Sequence, residues 1–250
     1  MGFRNRISDL FMAGAARSWV SVTTVRIGRA GKICEMRDST DSADIVFSGT
    51  LDADITISGA GGLRAALVEA ANTWYAVHAI ADTTGVNPVK LFLDTSHTAP
   101  VLPAGYDVFR HVFWVRNNGS SNLRKLLSTG SGNRHTVTYD EERTNVQPLA
   151  LGAATVWTTV LFDEELPPTA MRAETMVGFN SATPNDTAQF RTKGSTVAAP
   201  PTFVRVGLAV PTAVTAFVPL NTDASQQIQY INSNAGALTD LYVVGYEDEL

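Results

Sequence analysis

Cysteine is almost missing from this chain of 250 residues, with Cys34 the single example. That excludes an internal disulfide, a cysteine-built zinc site and a CxxC redox pair, and leaves Cys34 as a small buried hydrophobe. Charge is scarce as well, at 17% of residues, against the roughly 25% of an average globular chain. Basic residues do not exceed acidic ones, since 19 Lys and Arg stand against 24 Asp and Glu for a net charge of −5. Phosphate neutralisation needs the opposite balance, so nucleic acid is not an expected partner. Long apolar runs are absent too. The longest uncharged stretches, 144–162 and 206–222, contain Asn, Gln, Pro and many Thr, which hydrocarbon penalises, so no membrane is expected either. Arg4 and Arg6 ahead of Leu10 to Ala16 outline a signal peptide only faintly, because the apolar run is minimal and Asp9 sits at its edge.

Signatures of chemistry are equally thin. His78, His97, His111 and His135 lie far apart and form no HExxH or HxH pair, so no metal centre is read from them. No GxSxG elbow occurs, and the lone cysteine has no visible histidine partner. Glycosidase carboxylates leave no local signature, and Asp140-Glu141-Glu142 and Asp163-Glu164-Glu165 read as solvated loop charge. The expectation is a non-enzymatic protein with no catalytic residue, no metal and no cofactor.

What the chain does have is material for pleated sheets, including 28 Thr and 25 Val, because β-branched side chains fit a half-buried pleat better than a helix. From Trp19 the apolar pattern has period two. Strands are predicted at 19–27, 45–47, 54–58, 73–81, 90–93, 108–116 and 123–127, then at 135–139, 155–162, 174–179, 188–192, 202–209, 215–218, 226–231 and 241–245. Turn clusters such as Asn87-Pro88, Pro103-Ala104-Gly105 and Asn117-Asn118-Gly119 separate them. The Gly/Ser-rich stretch Ser128 to Asn133 reads as a module boundary. The eight short strands after it match a jelly roll or a similar two-sheet sandwich. Ahead of the strands, residues 3–17 predict a short amphipathic helix, with Phe3, Ile7, Leu10 and Phe11 near helical spacing and able to dock on a partner subunit. The fold expected is mainly β: an N-terminal helical arm over 1–18, then two β-sandwich, jelly-roll-like modules over 19–130 and 131–250.

Three patterns carry possible recognition chemistry. Asp54 to Ala71, a strand, a glycine cluster and a helix-like run with Asp82 beyond, has the outline of a dinucleotide fingerprint. Arg64 stands where the third glycine belongs, and the reading is a glycine-rich turn leading into a short connecting helix. Asp38, Asp41, Asp44, Asp52 and Asp54 do not have EF-hand spacing and read as turns and strand ends. Trp74 and Trp114 lie in predicted strands and, if open, would form a sugar-stacking face.

The segment Ala71 to Arg116, with ANTWYAVHAIAD, LFLDTSHTAP, LPAGYD and FRHVFWVR, resembles a stretch recurring in structural proteins of tailed bacteriophages and their prophages, the tail-fibre and virion proteins. RDSTDSADIVFSG at Arg37 to Gly49, VPLNTDASQQIQY at Val218 to Tyr230 and LYVVGY at Leu241 to Tyr246 add to the resemblance. It implies a virion protein assembled in the host cytoplasm, surface-exposed as a tail fibre, tail tip, head fibre or capsid decoration. Such a protein acts by assembly, with a trimer of itself and other capsid, neck or tail proteins as partners. The alternative is a host-receptor module binding cell-surface carbohydrate.

Overall fold

The structure, a computed structural model, describes residues 12–131, 134–198, 200, 202–205 and 212–249. The protein is mainly β. Among the described residues the only helical element is a short 3-10 turn at Arg143–Val146, and no helix is long and apolar enough to cross a membrane. The chain forms two compact units, Met1–Asp140 with Asp248–Leu250, and Glu141–Glu247. The stretch 128–133, expected as a boundary, instead lends Ser128–Ser131 to a strand paired in a hairpin. Small polar residues suit a tight hairpin as well as a linker.

The first unit holds β1 (Met12–Ala13), β2 (Arg17–Trp19), β3 (Thr24–Arg37), β4 (Asp44–Ser58), β5 (Gly62–Leu63), β6 (Thr73–Ala81), β7 (Lys90–Asp94), β8 (Val108–Asn117), β9 (Leu126–Ser131) and β10 (Arg134–Tyr139). They lie in one hydrogen-bonded sheet, in the order β10-β9-β2-β3-β4-β5-β7-β6-β8, with β1 added on β3. Pairing is antiparallel except at β4–β5 and β5–β7. Beyond β8 a turn closed by Asn118 brings Leu123 N–H to the Val22 carbonyl at 2.7 Å and Arg124 N–H to the Arg116 carbonyl at 2.8 Å. These bonds tie the β8 end of the sheet back toward β2. The inward side chains include Val25, Ile27, Met36, Ile45, Ile55, Tyr75, Val77, Leu91, Leu93 and Phe113, all at most 2% exposed, each contributing about 1.5–3 kcal/mol where fully buried and large.

The helical arm is corrected in part. Phe3, Ile7, Leu10 and Phe11 lie outside the described residues, but Met12–Ala13, with Arg17 and Ser18 of β2, fall inside the predicted arm and are strand residues on β3. Ladder hydrogen bonds to an existing strand edge outweigh the weak helical preference of a short segment. The short connecting helix expected after the glycine-rich turn is not formed either. Arg64 N–H bonds to the Leu93 carbonyl at 2.9 Å, and Leu67 N–H back to Arg64 at 2.8 Å, in a single turn.

The second unit holds β11 (Leu149–Gly152), β12 (Thr158–Leu161), β13 (Arg172–Ser181), β14 (Thr187–Thr192), β15 (Phe203–Arg205), β16 (Thr212–Asn221), β17 (Gln227–Asn232) and β18 (Leu238–Glu249). They make two antiparallel sheets, ordered β16-β13-β18-β11 and β12-β17-β14-β15. Alternate residues point inward: Ala188 and Phe190 on β14, Ile228 and Tyr230 on β17, Val177 and Phe179 on β13, Leu241 and Val243 on β18, all at most 3% exposed. Asn232, 1% exposed, ties the sheets together. Its amide donates to the carbonyls of Gly152 at 2.9 Å and Ala237 at 2.8 Å, and its carbonyl accepts from the Thr239 hydroxyl at 2.7 Å. Gly152 is required where it stands, since a Cβ there would run into the Tyr230 hydroxyl.

Candidate functional site

Strands β7, β6 and β8 lie side by side and place different chemistry on their two faces. Register puts Tyr75, Val77 and Ala79 beside Leu93 and Leu91 and beside Val115 and Phe113 on one face. The other face carries Trp74, Ala76 and His78, with Asp94 and Phe92 on one side and Arg116, Trp114 and His111 on the other. In a regular strand His111 and Trp114, three residues apart, would point oppositely. A register shift between Val77 and His78 absorbs one extra residue of β8 and turns His111 to the side of Trp114.

The result is a packed cluster of rings. His111 lies 5.1 Å from Trp114 and 5.5 Å from His78 between ring centres, and His97 lies 5.8 Å from His111 and 5.5 Å from Trp114. His97 arrives on the loop after β7, which Asp94 organises. The buried Asp94 carboxylate accepts from Ser96 N–H at 3.1 Å and Val101 N–H at 3.0 Å, and Arg64 sits 3.5 Å away. His78 Nε2 donates to the Ser96 carbonyl at 2.9 Å, so its bare nitrogen is Nδ1, which is buried without a hydrogen-bond partner. Burial, with a smaller contribution from nearby His97, holds His78 down to about 4 against the pull of its Ser96 bond and Asp94. Burial also lowers His97. The Ser96 hydroxyl accepts from Ala99 N–H at 3.1 Å, and His78 reaches the Ser96 backbone carbonyl rather than that hydroxyl. This arrangement pins a loop on a sheet and takes up a proton only in acid.

Other sequence-predicted positions resolve differently. Trp114 is 1% exposed and presents no face to a sugar, because the bulged strand and the loop bearing His97 pack against it. Trp74 is half-buried, with the Arg116 guanidinium 6.0 Å from its ring centre. Of the four histidines, distant in sequence, His78, His97 and His111 meet in ring contact. Among the described residues no three His, Cys, Asp or Glu side chains form a metal-holding group.

The acidic stretch is used up locally. Burial disfavours charge on Asp38, but the Thr40 hydroxyl and the N–H groups of Ala43, Ser42 and Thr40 outweigh it and hold the carboxyl down at about 2. Asp41 and Asp44 pair with Arg37 at 2.7 and 2.8 Å, Asp52 takes both ends of Arg26 at 2.6 and 2.8 Å, and Asp54 accepts from Thr56. Asp82, the supposed ribose acid, caps its own turn by accepting from Thr84 and Asn87. The glycine cluster is a tight turn in which a Cβ on Gly62 would collide with the carbonyls of Ile57 and Asp54. The dinucleotide outline therefore dissolves into strand-to-strand packing. Cys34 is buried on β3, and burial pushes its thiol up to about 11 despite Arg17.

A second surface went unnoticed in the sequence. On the sheet β12-β17-β14-β15, the positions that alternate with the core face outward. They carry Thr159 and Leu161, Gln227, Gln229 and Ile231, Thr187, Gln189 and Arg191, and Phe203 and Arg205, all half-buried or exposed. Arg191 is held in place, its Cζ 4.0 Å above the Trp157 ring centre, Nε donating to Gln229 at 2.9 Å and Nη1 to the Val197 carbonyl at 2.9 Å. The alternation Gln227, Gln229, Ile231 around Ile228 and Tyr230 was the signal for this face. No protein-family model matches the chain, and no curated protein matches it.

Proposed function

We propose that the chain is a non-enzymatic virion structural protein of a tailed bacteriophage, exposed on tail or capsid and acting by oligomeric assembly and docking. The observation that carries this reading is the strand order of the second unit. Labelled in chain order from β11 as B to β18 as I, its strands pair in the orders G-D-I-B and C-H-E-F, which supports a jelly-roll reading of this unit. Viral capsid and lectin domains are built on that module. The resemblance to phage structural proteins supports it further, since its longest segment, Ala71 to Arg116, spans β6, β7 and β8. A density map of intact particles tests the reading: this protein should account for a symmetric, trimeric feature on capsid, neck or tail. A chain that light scattering finds monomeric and that is absent from purified particles sinks it.

A second reading is supported by the outward face of β12-β17-β14-β15, where amides and hydroxyls flank Trp157 and the 53% exposed Phe203. Side chains of those types bind sugars by hydrogen bonding and by apolar contact with ring faces. In that reading the protein is a carbohydrate-binding or host-receptor module used in adsorption.

A further inference from the structure

We infer that the outward face of β12-β17-β14-β15 takes an acidic polysaccharide, with Arg191 as its anchor; the inference rests on the glycan-binding reading above. Charge complementarity selects the occupant. The whole chain carries −5, yet the outward strand positions of this face hold Arg191 and Arg205, with Lys193 just beyond β14, and none of these positions is acidic. No salt bridge engages Arg191, Lys193 or Arg205 among the described residues, so the surface attracts an anion that the chain itself does not provide.

Arg191 is built to receive one. A free arginine loses rotamer freedom when it binds, whereas this one is already stacked on Trp157 and bonded to Gln229 and Val197. That leaves its remaining N–H groups pre-organised for a planar carboxylate. The neighbours suit the rest of a sugar chain. Gln229 pairs in register with both Thr159 and Arg191, and Gln189 lies between Ile231 and Phe203. Amide groups therefore alternate with apolar contact along the sheet, as hydroxyls and ring faces alternate along a polysaccharide. Lys193 hydrogen-bonds the Gln227 amide and extends the basic edge.

The test uses the purified full-length protein against polygalacturonate, alginate and polysialic acid, each beside its carboxyl-reduced counterpart. At least one acidic polymer should bind, more weakly as salt rises, and its carboxyl-reduced form should bind on the order of tenfold less. Arg191→Gln should lose on the order of tenfold in affinity and R191K less, because charge without the planar fork is only part of the contact. If Arg191→Gln melts early, R205Q and K193Q read the same face. Equal binding of the carboxyl-reduced polymers, or of double-stranded DNA, overturns the acidic-glycan inference and leaves a neutral-glycan or generic polyanion surface. Absence of binding to every polysaccharide, acidic and reduced, overturns the glycan reading itself.

Discussion

At the scale of single residues, the two most informative groups are His78 and Asp38, because both hold their ordinary charge states by opposite means. His78 is fully buried and neutral, with Nε2 donating to the Ser96 carbonyl and Nδ1 unpartnered. Its affinity for protons is about 4 in the folded chain against 6.5 when free. The unfolded chain therefore binds the extra proton first as acid is added, and stability falls with pH across that window. The contribution is complete above about pH 6.5, shrinks as pH falls toward 4, and amounts to about 3 kcal/mol at most. Denaturant unfolding at a series of pH values should show this slope in the native protein and a flatter one in His78→Phe. The variant should also be about 1–2 kcal/mol weaker at neutral pH, because the Ser96 carbonyl loses its donor. An unchanged slope would mean that another group titrates. Asp38 acts in a separate, lower window. Its folded carboxyl ionises near 2 instead of 3.8, so its contribution is present above about pH 3.8 and is lost as pH falls through 2.

At the scale of elements, the decisive contacts are those that neighbouring strands make through one side chain. Asn232 uses its amide and carbonyl on Gly152, Ala237 and Thr239, so it links β17 of one sheet to β11 and β18 of the other. Removing it strands buried polar groups on both sides. Asn232→Leu should cost about 2–4 kcal/mol in chemical denaturation. Thr239→Val should cost less, and the double variant should fall short of the sum, since both changes break one network. Additive losses would show that the two side chains act independently. The β8 bulge works at the same scale, because one inserted residue decides that His111 faces His78 and Trp114.

At the scale of the whole molecule, the proposed virion role raises the question of what would hold the protein in a particle. The stripe Phe3, Ile7, Leu10 and Phe11 remains the proposed anchor. Deleting residues 1–18 is a poor test of it, because Met12–Ala13 and two residues of β2 would go too. Replacing the four apolar residues with Ser leaves those strands intact. The expected outcome is a folded protein, with melting temperature close to native, whose incorporation into particles falls severalfold when measured by mass spectrometry. Undiminished incorporation would move the anchor elsewhere on the chain.

The sequence by itself determined the β class and much of the strand list, because period-two alternation of Thr, Val and larger apolar residues commits a segment to a pleat whatever its neighbours are. β6, β8 and β10 begin and end within a residue of expectation. It also determined the local turns, where Asp38 and Asp82 bond their own following N–H groups. The tertiary structure alone decided register and partners. Residues Ile33–Arg37 became strand only because β4 lies beside them, and Met12–Ala13 joined β3 instead of continuing a helix. The cluster of His78, His97, His111 and Trp114 exists through a bulge and a loop pinned by Asp94. Such features are set by hydrogen bonds between segments far apart in the chain, and a local pattern encodes the period of a strand but not the neighbour it pairs with.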